Sequence, residues 1–287
     1  MKIISVDKVE NVPTFELITY ETDQVVAAQI ERAGFWEPIE TCMMRQLVEE
    51  GNTVLDIGAN IGYYSILFSK VVGDQGEIHS FEPFVDNHKL LFANTIINDC
   101  HNVTTYQKAV GALNGKTDLY ISEENNGDHQ LFASDGRVPV TAEVISIDQY
   151  FSDKHIDFIK IDTQGSEFNI LKGMQETIKH NRKHLSMMLE FCPNLLQKAG
   201  SNVEELISLL VSLDAQAFSI NPPKTSVYVV NGSLHSEQLG LASKTPQVLK
   251  EMFNNFLSEQ HDIFCDLIIF FSEEAIARHS AKFNIEY

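Results

Sequence analysis

The chain is poor in the features that would place it in several large functional classes. Its four cysteines, Cys42, Cys100, Cys192 and Cys265, lie far apart, and no C-x-x-C pair or histidine cluster accompanies them. That pattern supports neither a zinc module nor a disulfide framework. Positive charge is scarce: 21 Lys and Arg face 40 Asp and Glu, a net charge of −19 over 287 residues. Such a field repels phosphate backbones and anionic bilayers, which argues against a broad nucleic-acid surface but leaves room for a local basic groove. No run approaches the ~18 apolar residues of a membrane span. The opening Met1-Lys-Ile-Ile-Ser-Val-Asp7 has no extended apolar core and no cleavage site, so no signal peptide and a cytoplasmic location are expected. Repeats and low-complexity segments are missing too, and the length suits one α/β domain with additions.

What is present centres on Val54-Leu-Asp-Ile-Gly-Ala-Asn-Ile-Gly-Tyr-Tyr-Ser65. The spacing predicts a buried strand over 53–57 that turns through Gly58 and enters a helix near Gly62. In a βαβ unit a ligand binds at that turn, outside the strand's carboxyl end and against the helix's amino end. Gly58 takes backbone angles closed to other residues, and Gly62 lets helix and strand approach. A dinucleotide loop would carry glycine where Asn60 stands. Asp56 at the strand end would also repel a pyrophosphate, whereas a zwitterionic, cationic ligand suits an acid and an amide. A second strand, Glu77 to Phe81, closes with Glu82-Pro83, and the two oxygens of Glu82 can hold both hydroxyls of a ribose. This combination looks like the S-adenosylmethionine (SAM) site of a class I methyltransferase. Asp56, Gly58, Asn60, Gly62, Tyr63 and Glu82 are its cofactor candidates. A plain βα turn of any α/β protein is the bland alternative.

The remaining pattern supplies a frame for that loop. Residues 1–30 read as a short β-hairpin or two, and Ile39 to Glu50 as an amphipathic helix. Between them Trp36 reads as core and Glu37 as a solvated turn residue or a cofactor contact. A helix over 85–98 and a third strand over 103–110 follow. Then three β-like runs within 117–147 break the strand–helix rhythm, which predicts a small β insertion with a polar tip over 123–130 that includes Asp128 and His129. The fourth strand, 156–162, places Lys160 and Asp162 on one face because strand side chains alternate. A lysine buried there needs a carboxylate partner, so Lys160 reads as a residue that positions acids. A helix over 168–179, a fifth strand over 185–190 ending at Glu190, and a helix over 203–213 come next. Two strand-like runs follow, 215–220 and 226–230. A long surface loop is read over 231–243, Thr245-Pro246 opens a helix, and 265–271 is the last strand before a short tail, 273–287.

With these pieces assembled, the sequence resembles the FkbM family of SAM-dependent methyltransferases. The blocks that carry the resemblance are Val54-Leu-Asp-Ile-Gly-Ala-Asn-Ile-Gly62, Phe81-Glu-Pro83, Ile159-Lys-Ile-Asp-Thr-Gln-Gly-Ser-Glu167 and Glu190-Phe-x-Pro193, over roughly residues 25 to 195. Cys192 departs from the aromatic often found between that Phe and Pro, and the region after about Leu195 carries no family signature. The resemblance implies a Rossmann-like α/β fold, with seven mostly parallel strands and helices on both faces. Here it would be one domain: residues 1–50 as the N-terminal β addition, 51–272 as the core, 273–287 as the tail. It also implies O-methylation of a hydroxyl on a sugar, glycan or natural product, with SAM as cofactor.

Methyl transfer needs positioning, and a hydroxyl acceptor also needs a base. Asp162, His129 and Glu190 are the candidates for that chemistry. Asp162 could equally hold the cofactor's ammonium or orient the acceptor, and His129 could be an ordinary loop histidine. A divalent ion held by Asp162, Glu190 and an acceptor diol ranks below the metal-free case. A catalytically silent SAM-fold binding protein and, further off, another nucleotide-dependent α/β enzyme are the alternatives in function.

Overall fold

The computed structural model describes residues 1–122, 127–134, 136–220, 225–230, 233–259 and 262–286. The chain opens with the hairpin β1 (Lys2–Val6) and β2 (Phe15–Thr19), then α1 (Val26–Ala33) and α2 (Pro38–Leu47). Alternation starts at β3 (Thr53–Ile57) and continues through α3 (Tyr63–Val72), β4 (Glu77–Phe81), α4 (Val85–Ile97) and β5 (Val103–Tyr106). It is interrupted by β6 (Ala109–Val110), β7 (Gly115–Ile121), β8 (Val138–Ile145) and α5 (Asp148–Phe151). It resumes with β9 (Phe158–Ile161), α6 (Glu167–Lys172), α7 (Gln175–Asn181), β10 (Ser186–Phe191), α8 (Pro193–Lys198), α9 (Val203–Ser212) and β11 (Gln216–Ile220). The last part holds β12 (Ser226–Val230), β13 (Ser233–Gln238), β14 (Gly240–Lys244), α10 (Pro246–Leu257), β15 (Cys265–Phe270), α11 (Glu273–His279) and β16 (Asn284–Glu286).

The central sheet has the order β16-β14-β11-β15-β10-β9-β3-β4-β5. Strands β5, β4, β3, β9 and β10 run parallel, and β15 runs antiparallel between β10 and β11. The seven expected strands are therefore present, and β14 and β16 extend the β11 edge. From β3 the chain winds outward to β5, then returns to lay β9 on the other side of β3. The carboxyl ends of β3 and β9 thus flank a topological switch point, where open α/β sheets hold ligands. Apolar side chains cover both faces. One layer packs Ile66, Leu67 and Phe68 of α3 with α2 and the N-terminal hairpin, and the other packs Ile170, Ile178 and Leu206. Among the described residues no helix is long and apolar enough to cross a membrane.

Several elements differ from the sequence reading. Helix α1 stands where alternation suggested strand, because Ala27 and Ile30 form a one-sided apolar stripe. The expected helix over 168–179 is two short helices, α6 and α7, separated at Gly173, where any Cβ would lie 2.0 Å from the Gly111 carbonyl. The stretch read as a surface loop holds β13 and β14, whose Ser and Gly content hides the buried Leu234, Leu239 and Leu241. The tail is α11, capped by Ser272, followed by a strand of the main sheet. The insertion is a separate sheet, β6-β8-β7, and its middle run is reduced to a bridge between Tyr120 and Gln130. Residues 123–126 of the expected tip lie outside the described residues.

The N-terminal hairpin is fastened to the core by two asparagines. Strand β2 pairs with β1 on one edge. On the other, Ile18 N–H donates to Asn94 Oδ1 (2.6 Å), and Asn94 Nδ2 donates to Ile18 O (3.1 Å) and Ile61 O (2.8 Å). One helical turn on, Glu16 N–H donates to Asn98 Oδ1 (2.9 Å), and Asn98 Nδ2 returns a bond to Glu16 O (2.7 Å). The two amides, four apart on α4, match backbone groups two apart on β2 and act as a missing neighbour strand. Removing the fully buried Asn94 leaves the Ile18 amide and two carbonyls without these partners. Each group so stranded costs about 1–3 kcal/mol. Asn94→Ala is expected to lower unfolding free energy by about 2–4 kcal/mol in denaturant titration and to speed hydrogen exchange at the Ile18 amide. An unchanged exchange rate there would show that β2 does not depend on α4.

Candidate cofactor and acceptor site

The turn after β3 is closed by its own backbone. Gly58 N–H and Ala59 N–H both donate to Phe81 O (3.0 Å each), and Gly62 N–H donates to Ala59 O (2.9 Å). Asn60 N–H donates to Glu82 Oε2 (3.0 Å), and the other Glu82 oxygen accepts Phe84 N–H (2.8 Å). These amides are consumed internally, so the loop offers no row of free donors for a pyrophosphate. The left-handed backbone at Gly58 (φ 83°) is obligatory, since a Cβ there would lie 1.8 Å from the Asp162 carbonyl oxygen. Asn60 also sits at positive φ (50°), a conformation asparagine tolerates.

Beneath the loop lies a buried ion network. Asp56 and Lys160 are cross-strand neighbours on β3 and β9. Lys160 Nζ lies 3.1 Å from Asp162 Oδ2, 3.7 Å from Asp56 Oδ1, and 5.1 Å from the centre of the Tyr64 ring. Ser65 Oγ donates to Asp56 Oδ2 (2.6 Å) and receives a bond from Ser80 Oγ (2.8 Å). The sequence reading of Lys160 as a positioning residue fits this geometry. The two acids differ in access: Asp56 is fully buried, whereas 31% of the Asp162 side chain is open. Burial pushes the Asp56 carboxyl up, against the charge of Lys160. Burial also opposes charge on Asp162, but Lys160 and the bonds from Glu190 and Gln164 hold it below its usual value. Glu190 shares that bond, and burial followed by the charge of Asp162 pushes it well up, so the two carboxyls titrate as a pair.

Two cavities meet at Asp162. The first, with about 80 Å³ of open space, is lined by Gly58, Asn60, Phe81, Glu82, Pro83, Val110, Leu119, His129, Leu131, Asp162 and Gln164. The second is far roomier, about 820 Å³, and is lined by Trp36, Glu37, Asn60, Asp128, Gln130, Phe132, Arg137, Asp162, Gln164, Glu190, Lys198 and Phe264 among others. Insertion residues from Gly127 to Ser134 contribute to both, and Arg137 to the second. Of the cofactor candidates, Gly58, Asn60, Glu82 and Asp162 line the first cavity, and Asp56, Gly62 and Tyr63 stand behind it. Those three are held by contacts within the fold. Asp56 anchors the ion network. Gly62 admits Leu91, whose Cδ1 would lie 2.7 Å from any Cβ. Tyr63 pins the segment before α2: its hydroxyl accepts Trp36 N–H (3.2 Å) and bonds Thr41 Oγ1 (3.1 Å).

The candidates for chemistry separate as well. Asp162 and Glu190 face the second cavity together, bridged by Gln164, whose Nε2 donates to Glu190 Oε2 (3.3 Å). His129 lies in the first cavity. Its Nδ1 accepts Ser122 N–H (3.1 Å), and burial, with the charge of Arg137, lowers its pKa to about 4. The neutral ring then carries its proton on Nε2, so neither nitrogen is free to act as a base. Glu37 fills the gap. It sits in a left-handed conformation (φ 37°) at the start of α2 and accepts Tyr64 Oη–H on Oε2 (2.7 Å). Burial and the charge of Asp162 raise its pKa to about 7. The Trp36-Glu37-Pro38 break hinted at this position, but no local pattern says that Tyr63 and Tyr64 would draw it in.

Among the described residues, His155, Asp157 and His184 come together with metal-ligand atoms within 4.8 Å. They lie where the chain enters β9 and β10, at the opposite end of those strands from the cavities. The two imidazoles stack 4.2 Å apart, and Arg278 Nη1 sits 3.3 Å from Asp157 Oδ1. A shared ion would have to splay the rings and displace the guanidinium.

Comparison with known proteins follows the same lines. The family described as the methyltransferase FkbM domain matches residues 56–219, more than half of the chain. No curated protein matches it. Among solved structures, a SAM-dependent O-methyltransferase of Thermotoga maritima is 14% identical over 89% of this chain and 72% of its own, with a TM-score of 0.45. A methyltransferase FkbM of Methylobacillus flagellatus KT is 15% identical over 86% of this chain and 48% of its own, with a TM-score of 0.39. An O-methyltransferase of Bacillus cereus, in complex with SAH (S-adenosylhomocysteine), is 12% identical over 85% and 86%, with a TM-score of 0.42.

The site predicts a pH-dependent stability. A carboxyl raised from 4.5 to about 7 on folding contributes stability that is complete below 4.5 and lost as pH rises through about 7. Glutamine keeps the acceptor for Tyr64 and cannot ionise. Glu37→Gln is therefore expected to be more stable than wild type at pH 8, by about 1–3 kcal/mol, with the advantage fading toward pH 5. Thermal or urea unfolding at the two pH values measures it. An advantage that stays constant with pH would show that Glu37 ionises freely.

Proposed function

This chain belongs to the FkbM methyltransferase family, and on that premise we propose that it transfers the methyl group of SAM to a hydroxyl of a sugar, glycan or natural-product acceptor. The observation that carries the reading is the cleft at the β3–β9 switch point, with Glu82 and Asp162 both on its wall. The amides of Gly58, Ala59, Asn60 and Gly62 are spent on Phe81, Glu82 and Ala59, and the cleft's walls hold two acids, Glu82 and Asp162, against one cation, Lys108, which is itself paired with Glu143. Such a cleft disfavours a pyrophosphate and suits a ligand with hydroxyls and positive charge. Glu82 keeps lone pairs for a ribose diol beyond the two amides it accepts. Asp162, held charged by Lys160, would meet the ammonium and sulfonium end of a bound SAM.

Methyl transfer from a sulfonium disperses charge as the bond to the acceptor oxygen forms, so most of the work is alignment. The second cavity would hold the acceptor. Trp36, Phe132 and Phe264 give it apolar faces, and Glu37, Gln164 and Glu190 give it hydrogen-bonding groups. Of the acids there, Glu37 has the proton affinity suited to take a hydroxyl proton near neutral pH. Asp162 and Glu190, locked to each other, orient the reactants.

Calorimetric titration with SAH, and separately with NAD, tests the cofactor. Binding of SAH without binding of NAD is the expected result. Glu82→Ala is expected to weaken SAH by ~1–3 kcal/mol, the cost of leaving its hydrogen-bonding partners unpaired. Unchanged affinity in a folded Glu82→Ala protein would remove the ribose assignment, and turnover against a panel of hydroxyl acceptors tests the transfer itself.

A further inference from the structure

His129, on the wall of the first cavity, carries a donor that the preceding reading does not use. With His129 Nδ1 accepting the Ser122 amide, the ring's proton lies on Nε2, and that nitrogen is buried with no hydrogen-bond partner among the described residues. Buried donors are rarely left unmade in folded proteins, and an exception asks for an explanation. The ring is held in place. The Phe84 ring meets it edge-on at 4.4 Å, and the neighbouring Asp128 is clamped by Arg137 and by Gln130 Nε2 (2.8 Å). The walls nearby are apolar and partly flat: Phe81, Pro83, Val110, Leu119 and Leu131. Glu82 stands between this apolar end and Asp162's end of the cleft. A ribose held by Glu82 with its charged tail at Asp162 sends the base into the apolar end, under His129.

We propose that His129 is a cofactor-recognition residue whose Nε2–H donates to an acceptor nitrogen in the purine ring of bound SAM or SAH. This rests on the reading of the first cavity as the cofactor cleft. The assignment explains why the imidazole is kept neutral, with one nitrogen tied to backbone and the other left as a donor. It also gives the insertion a part in cofactor binding, since residues on either side of His129 line the second cavity. With only about 80 Å³ of open space, the cavity must widen as a purine enters. The insertion supplies one of its walls and is a separate sheet from the rigid core.

Calorimetric titration of SAH into wild type, His129→Leu and His129→Gln tests the proposal, with thermal midpoints recorded for each. Glutamine places an N–H close to the Nε2 position, and leucine fills the space without a donor. The leucine variant is expected to bind SAH roughly 5–50-fold more weakly and the glutamine variant to recover most of that loss, at pH 6 and pH 8 alike. SAH analogues with carbon in place of single purine nitrogens should lose affinity for wild type at one position, and the leucine variant should not notice that change. Equal SAH affinity in wild type and His129→Leu overturns the proposal, as does equal weakness of the leucine and glutamine variants. Wild-type protein that takes up no SAH removes the cofactor cleft and the proposal together, which the first titration distinguishes from failure of the proposal alone.

Discussion

A lysine buried between two carboxylates organises this protein. Lys160 has its side chain 5% exposed in the middle of a parallel sheet, and an uncompensated ammonium there would be prohibitively costly. Its compensation fixes several things at once. Asp56 must sit opposite it on β3, which sets the register of the two strands that flank the switch point. Asp162, two residues on, must turn back toward the same nitrogen. That orientation delivers one carboxylate to the cavities in a charged state while its neighbours Glu190 and Glu37 are pushed toward protonation. A charged acid, a proton-holding acid and an acid poised near neutrality thus follow from one buried cation and its limited supply of charge.

The remaining architecture delivers groups to that centre. The paired tyrosines at the start of α3 draw in the segment before α2, bringing Trp36 and Glu37 to the second cavity. Asparagines on α4 substitute for a strand and hold the N-terminal hairpin near the glycine loop. The insertion lies over both cavities from one side. The glycine loop itself is rigid rather than receptive, because its amides are already bonded. Recognition therefore falls on side chains, Glu82 and Asp162 above all, and a net charge of −19 does not oppose a cationic ligand.

Much of this was legible in the sequence, and the failures have physical causes. Strands β3, β4, β9, β10 and β15 are short apolar runs with turn residues at their ends, so their pattern is local. Asp162, Glu82 and Lys160 could be located near the strands' carboxyl ends because strand alternation places a side chain without knowledge of the partner. The sequence does not show how His129 is bonded, because its hydrogen bond to the Ser122 amide and the nearby charge of Arg137 are products of tertiary folding. Glu37 was underweighted for the same reason: its proton affinity comes from burial under α3, seen only when Tyr64 is in place. Asp56 and Tyr63 belong to the motif and are bonded within the fold, to Ser65 and Lys160 and to Trp36 and Thr41, contacts that no local pattern shows. Strands β13 and β14 are hidden by serine-containing sequence whose few buried leucines fall at uneven spacing, and β16 is only three residues long.

The central claim is that the acids around Lys160 are held partly protonated and are matched to a cationic cofactor. Proton exchange on binding tests it most directly. Titrating SAM into the protein at pH 7, in buffers of different ionisation enthalpy, counts the protons moved. Positive charge arriving beside Glu37, Glu190 and Asp162 should lower their proton affinities, so the account predicts net release, on the order of one proton per SAM and more than for SAH, which lacks the sulfonium charge. No exchange, or net uptake, would contradict it.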